Sequence, residues 1–236
     1  MPSPTKFSAI AFVVAGAGIS TFAGMDVVMK SLSLSLGAYN AMLWRSLISV
    51  SLAGLLYLMW RPAWPTADVI RLHLWRGFII SIMAFLFFWG LKYLPVAEAI
   101  GLSFIAPLLA LYLAAVILKE NIGKQAIAAS VIGLFGAVII VSGRLGGNYE
   151  EETGKGIAAI LLSAVLYAYN IILQRQQALL AGPVEIAFFQ NSTIIVLFAS
   201  LSPFFAQVPA IDAVPMLAAA AVLGLVSLMM MSWAYA

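Results

Sequence analysis

The chain alternates long apolar runs with very short polar breaks, and this alternation restricts its fold more than any other feature. Residues 7–29, 37–60, 75–94, 95–118, 125–142, 156–173, 183–205 and 215–236 are eight predominantly apolar stretches. About 20 such residues in a helix cross the hydrocarbon core of a bilayer, with every backbone polar group satisfied inside the segment. Turn residues and charges collect in the separators: Arg61-Pro62-Ala63-Trp64-Pro65, Lys119-Glu120-Asn121, Gly143-Arg144-Leu145-Gly146-Gly147 and Ala181-Gly182-Pro183. Runs of this length do not suit a membrane barrel, whose strands alternate over about ten residues. The expected fold is an all-α polytopic membrane protein.

Composition narrows the function. A soluble domain carries about 25% charged residues, whereas this chain is 9% charged and 64% hydrophobic, with a mean hydropathy of +1.07. The net charge of +3 is small and the basic residues are scattered, which argues against nucleic acid as a partner. Without cysteine there are no disulfides, thiolate metal sites or cysteine nucleophiles. His73 is the only histidine and reads as part of a basic cytoplasmic loop. No carboxylate cluster accompanies it, so neither a metal nor a cofactor is expected. No nucleophile–base pair is visible, and an enzyme is not expected. The glycines at 143–147 followed by Gly154-Lys155 lack phosphate-loop spacing, since position 149 is Tyr and position 156 is Gly. The N-terminal MPSPTKFS enters the first apolar run without a small-residue cleavage site, which reads as a retained first span.

Basic residues suggest the orientation. With the N-terminus in the cytoplasm, the inside segments hold Lys6, Arg61, Arg71, Arg76, Lys119, Lys124 and Arg175. The outside segments hold Lys30, Lys92, Arg144 and Lys155, and the acidic run Glu150-Glu151-Glu152 falls outside as well. Sliding the sequence by 144 residues places Trp89 on Trp233, Asp26 on Asn170 and Lys30 on Gln174. One residue of slippage brings Asn40 onto Glu185 and Arg45 onto Gln190. The copies lie five spans apart, an odd number, so the second runs inverted through the bilayer, as in many transporters. The expected division is a first five-helix repeat at 1–146 and an incomplete second repeat of three helices at 147–236. Counterparts of spans four and five would occupy roughly residues 239–286, so a C-terminally truncated protein is expected.

One stretch carries a family pattern: LKYLPVAEAIGLSFIAPLLALYLAAVILKENIGKQAIAASVIGLFGAVIIVSG, residues 91–143. It holds a tight turn, a helix with a central Pro107, an acidic exit at Glu120 and a Gly-bearing following helix. The Asp26…Lys30 end of the first span and Trp44-Arg45-Ser46 of the second add to it. On these residues the chain resembles the drug/metabolite transporter superfamily, in particular the EamA-type permeases, over essentially its whole length. The resemblance implies ten helices in two inverted five-helix repeats, a bacterial inner-membrane location and alternating access for a small metabolite or drug-like solute. The chain departs from that pattern in lacking the last two helices.

Unpaired charges at membrane depth cost from about 2.5 to above 10 kcal/mol, so the few present are informative. Asp26 sits near the outer end of the first span with Lys30 one turn beyond; an i,i+4 pair at the interface is the plainer reading. Arg45 is too deep in the second span for easy snorkelling, and is expected to face a polar cavity or an acidic partner. Glu98 opens the fourth span, where the helix dipole already favours a carboxylate. Pro107 cannot donate to the Ser103 carbonyl, and the Ser103 hydroxyl shares that face; the kink serves a pathway or only packing. Tyr167, Tyr169, Asn170 and Gln174 enrich span six, and Glu185, Gln190, Asn191 and Ser192 enrich span seven. Hydrogen bonding between helices is their plainer role. Trp89 and Trp233 suit interface anchors. The small-residue series Gly16-Ser20-Gly24, Ala129-Gly133-Ala137 and Ala220-Gly224 suit close helix packing.

The candidate solute pathway is therefore Asp26, Arg45, Glu98, Ser103, Tyr169, Asn170, Gln190 and Asn191, with Pro107 as a kink. Protons are the candidate coupling ion at Asp26 or Glu98, because low dielectric favours a neutral carboxyl. The expected partners are a small solute, the lipid bilayer and a second copy in a homodimer. The competing readings are a membrane-embedded enzyme, a structural or sensory membrane protein, and an inactive permease.

Overall fold

The computed structural model describes residues 4–60, 63–117, 119, 123–142 and 151–235. Arg61-Pro62, Glu120-Asn121, the glycine-rich 143–147 and Glu150 lie outside the described residues, as do the side chains of Lys6, Ala137 and Glu151. Regular structure among the described residues is helical: α1 (Pro4–Trp60), α2 (Ala67–Gly90), α3 (Val96–Ser103), α4 (Ile105–Ile117), α5 (Lys124–Ser142), α6 (Glu151–Ala178) and α7 (Pro183–Ser200). A single turn, α8 (Ser202–Phe205), and a 3-10 turn at Ile211–Ala213 lead into α9 (Val214–Tyr235).

Six described stretches are long and apolar enough to cross a bilayer, and the first, Ala9–Trp60, has 52 residues. At 1.5 Å per residue that length is about 78 Å, more than twice a hydrocarbon core of about 30 Å, so it accounts for two crossings. The backbone marks the division at Gly37, with φ 78° and ψ 151°, a region essentially reserved for glycine. The first apolar run was expected to stop at Met29, yet the helix persists to the break. Its serines explain the difference: Ser35 Oγ donates to the carbonyls of Ser31 and Leu32, both at 3.2 Å. Hydroxyls absorbed this way leave a polar stretch compatible with helix.

The run at 95–118 divides as Pro107 requires. The Phe104 N–H donates to the Gly101 carbonyl at 3.1 Å and closes α3. Pro107 then sits in the first turn of α4, where a missing N–H costs little. The run at 183–205 divides in the same way, with Pro203 in the opening turn of α8. α2 begins eight residues before the apolar run at 75–94, at Ala67, with Asp68 in its first turn favoured by the helix dipole. His73 is therefore a helical residue with 0% exposure, not part of a loop. Arg76, counted above with the loop cations, is 2% exposed inside the same helix and carries no weight on orientation.

Contacts divide the chain into two compact units: Met1–Phe78 with Leu173–Ala236, and Ile79–Ile172. In the first unit α1 packs against α9 and α7, and α7 against α9. Ala53, Ala187 and Leu225 form a buried cluster with Leu52, Leu56, Phe188, Leu228 and Met229 around it. Lipid gives helices little reason to hide Leu from Leu, so small residues and hydrogen bonds hold such contacts. Ser227 Oγ on α9 donates to the Gly18 carbonyl on α1 at 2.8 Å. Gly16, Ser20 and Gly24 were expected at a packing face. They are exposed, and a Cβ added at either glycine would meet nothing within 4 Å beyond its own helix. Gly18, round the helix from them, makes the α9 contact through Met230 and Met231.

The segment between α8 and α9 is clamped to α1. Trp44 Nε1 donates to the Gln207 carbonyl and the Gln207 N–H donates to Asn40 Oδ1, each at 2.8 Å. Tyr39 OH donates to the Phe198 carbonyl at 2.6 Å. In the second unit α3 and α4 pack on α5, and Ala106 and Ala110 meet Ala164 and Ala168. Ser163 Oγ donates to the Met83 carbonyl at 2.8 Å.

Candidate functional site

α1 brings two opposite charges into the interior of the first unit, one from each side of Gly37. Asp26 is 5% exposed and Arg45 is 9% exposed. They lie close enough to interact electrostatically. The guanidinium is also held by sulfur: Arg45 Nη1 donates to Met25 Sδ at 3.2 Å. α9 makes room for this at Gly224, where a Cβ would lie 3.1 Å from the Met25 sulfur and 3.5 Å from Arg45 Nη1. Asp26 Oδ1 and Arg45 Nε have no hydrogen-bond partner among the described residues. Buried polar atoms left this way cost about 1–3 kcal/mol each, a cost that a polar ligand would remove.

The remaining pathway candidates divide between the units. Gln190 and Asn191 on α7 belong to the same unit as Asp26 and Arg45. The Asn191 amide is spent within its own helix, donating to the Ala187 carbonyl at 2.8 Å, whereas Gln190 Oε1 is buried without a partner among the described residues. Glu98, Ser103, Tyr169 and Asn170 belong to the second unit. Glu98 is buried in the first turn of α3, and Asn170 is buried on α6. Ser103 Oγ donates to the Ala99 carbonyl at 2.8 Å, so its proton is already committed, and the oxygen remains an acceptor.

A second polar assembly escaped the sequence reading. His73 on α2 is flanked by Gln177 on α6 and Glu185 on α7. Its Nε2 lies 3.0 Å from Glu185 Oε1, and its Nδ1 is hydrogen-bonded to Gln177 Nε2. Gln177 Oε1 accepts from Arg76 Nη1. The ring stacks on Phe189, with centroids 4.8 Å apart and planes 7° from parallel. Starting α2 at Ala67 would have put His73 and Arg76 three residues apart on one helix face; starting it at Trp75 hid the pair. A surface depression of about 430 Å³ lined by Ala67, Ile70, Arg71, Leu74 and Trp75 lies along α2 alone, and none of the polar groups above lines it.

The sequence profile of the EamA-like transporter family matches residues 4–142. An S-adenosylmethionine uptake transporter of Rickettsia prowazekii is 27% identical over 129 residues, 55% of this chain and 42% of that protein. The pseudopaline exporter CntI of Pseudomonas aeruginosa is 26% identical over 171 residues, 72% of this chain and 58% of that protein. The chain thus spans about half the length of these curated relatives. A protein of known crystal structure aligns over 93% of this chain and 78% of its own, with a TM-score of 0.61 at 21% identity, a likeness of fold. With the family profile covering more than half of its residues, this polytopic helical chain belongs to the EamA-like transporter family.

Proposed function

We propose that the protein carries a small polar solute across the bacterial inner membrane by alternating access, with Asp26 and Arg45 as its anchoring pair. The observation that carries this reading is the burial of two opposite charges, each with an unpartnered polar atom. A charge at membrane depth is costly and is retained where it serves a solute or ion path. Gln190, with its buried acceptor in the same unit, is a further contact for the solute.

In this reading the chain performs no covalent chemistry, its N-terminus faces the cytoplasm, and protons couple through Asp26 or Glu98. Residues 1–146 form the first repeat and 147–236 belong to the second. A second copy of the chain completes a homodimer. One relative is named for uptake and the other for export, so direction does not follow from kinship.

Reconstitution in proteoliposomes tests the reading, with uptake and release of labelled amino acids, nucleosides and sugars followed in parallel. Flux of at least one solute, lost in a folded Arg45→Ala variant, is the expected result. Undiminished flux in that variant removes Arg45 from the path, and absence of flux for every solute overturns the transport reading.

A further inference from the structure

We propose that His73 is a proton-binding site, separate from Asp26 and Glu98, in which one added proton breaks the hydrogen bond between Arg76 of α2 and Gln177 of α6. The inference stands apart from the solute reading and rests on the direction of each hydrogen bond around the ring.

Arg76 offers only N–H donors, so the Gln177 atom facing it must be Oε1. Gln177 Nε2 is then left to donate to His73 Nδ1, which must be the bare nitrogen of a neutral ring. The ring proton sits on Nε2 and is donated to Glu185 Oε1 at 3.0 Å. Donation therefore runs in one direction from Arg76 to Gln177, to His73, to Glu185.

A second ring proton has no place in this order. On Nδ1 it would face the Gln177 N–H2, donor against donor. Turning the amide over presents Oε1 to the imidazolium but aims the N–H2 at the Arg76 guanidinium, again donor against donor. Flipping the ring would break the Glu185 bond, and the parallel stack on Phe189 confines the ring besides. Among the described residues the charged groups facing His73 are Glu185 from α7 and Arg76 from its own helix, while Tyr57 of α1 faces Glu185. Glu185 compensates an imidazolium, so the α2–α7 link tightens on protonation. Of the two links from α6 to α2, Gln177 to His73 is kept when the amide turns over, and Gln177 to Arg76 is the one that breaks.

The single histidine of the chain makes this directly readable. The whole protein in lipid nanodiscs, with 15N in histidine rings and arginine side chains, gives one pair of ring signals. At neutral pH the expected ring carries hydrogen on Nε2 alone. Acidification is expected to produce two ring N–H groups together with a shift of the Arg76 guanidinium signals, assigned through Arg76→Lys. Gln177→Glu supplies acceptors on both sides, and its ring is expected to carry two N–H groups already at neutral pH. A ring with hydrogen on Nδ1 at neutral pH overturns the proposal. So does ring protonation that leaves Arg76 unchanged, or a Gln177→Glu ring identical to the parent. The pH series on the unsubstituted protein decides the matter even where the variant does not fold, and neither arm depends on any solute being moved.

Discussion

The Arg45 guanidinium donates to the Met25 sulfur at 3.2 Å, and the residue next to that methionine is the buried carboxylate Asp26. A thioether is a weak acceptor, so it orients the guanidinium without competing for its charge. Arg45 Nε keeps no partner among the described residues, donor capacity that a structural ion pair would have spent.

Removing one of these charges is expected to destabilise the protein, and removing both is expected to relieve it. Arg45→Met alone leaves a buried carboxylate uncompensated, at a cost of about 3–5 kcal/mol. Adding Asp26→Leu should return about 2 kcal/mol or more of that loss. Thermal unfolding in detergent micelles measures both values, and solute flux should be absent in single and double variants alike. A double variant less stable than the single one contradicts the pairing.

Gly224 sets how closely α9 approaches the charged pair. Gly224→Ala meets the end of the flexible Met25 side chain at 3.1 Å and is expected to cost about 1 kcal/mol or less. Gly224→Val has no such escape and should cost about 1–3 kcal/mol by overpacking. Solute affinity is expected to fall in the same order, measured against the melting temperatures of the two variants.

The clamp on Gln207 predicts different outcomes for its two partners. Asn40 Oδ1 accepts from the Gln207 N–H, so Asn40→Ala should speed hydrogen exchange of that amide. Trp44 donates to the Gln207 carbonyl instead, so Trp44→Phe should leave the Gln207 amide much closer to its parent rate. Each loss is expected to cost about 1 kcal/mol, and mass-spectrometric exchange over residues 206–210 separates them.

Pro107→Ala should allow α3 and α4 to merge, because the substitution restores a backbone N–H that can donate to the Ser103 carbonyl. Spin labels on cysteines introduced at residues 97 and 116 in this cysteine-free chain should then report a longer distance. An unchanged distance would show that packing of α3 and α4 on α5 imposes the bend without the proline.

Much of the fold was legible from apolar run length, because lipid requires each span to satisfy its own backbone. Helix ends were less so. The Ser-rich end of the first run and the His-bearing start of α2 read as loops, yet Ser35 bonds its own helix and His73 is buried among partners from two others. Asp26 and Arg45 were identifiable as costly charges in apolar runs. Gln177 could not be, since one amide near a helix end has the same appearance in sequence whether it meets water or a histidine.

The sequence alone determined that the chain spans a membrane as helices and that Asp26 and Arg45 stand within apolar runs; each follows from local chemistry read against lipid. Only the tertiary structure decided that Arg45 meets the Met25 sulfur beside Asp26, that Gly224 makes room for them, and that His73 joins α2, α6 and α7. Those pairings join residues up to 199 positions apart, Met25 and Gly224 being the extreme, and no spacing rule within one helix reaches that far.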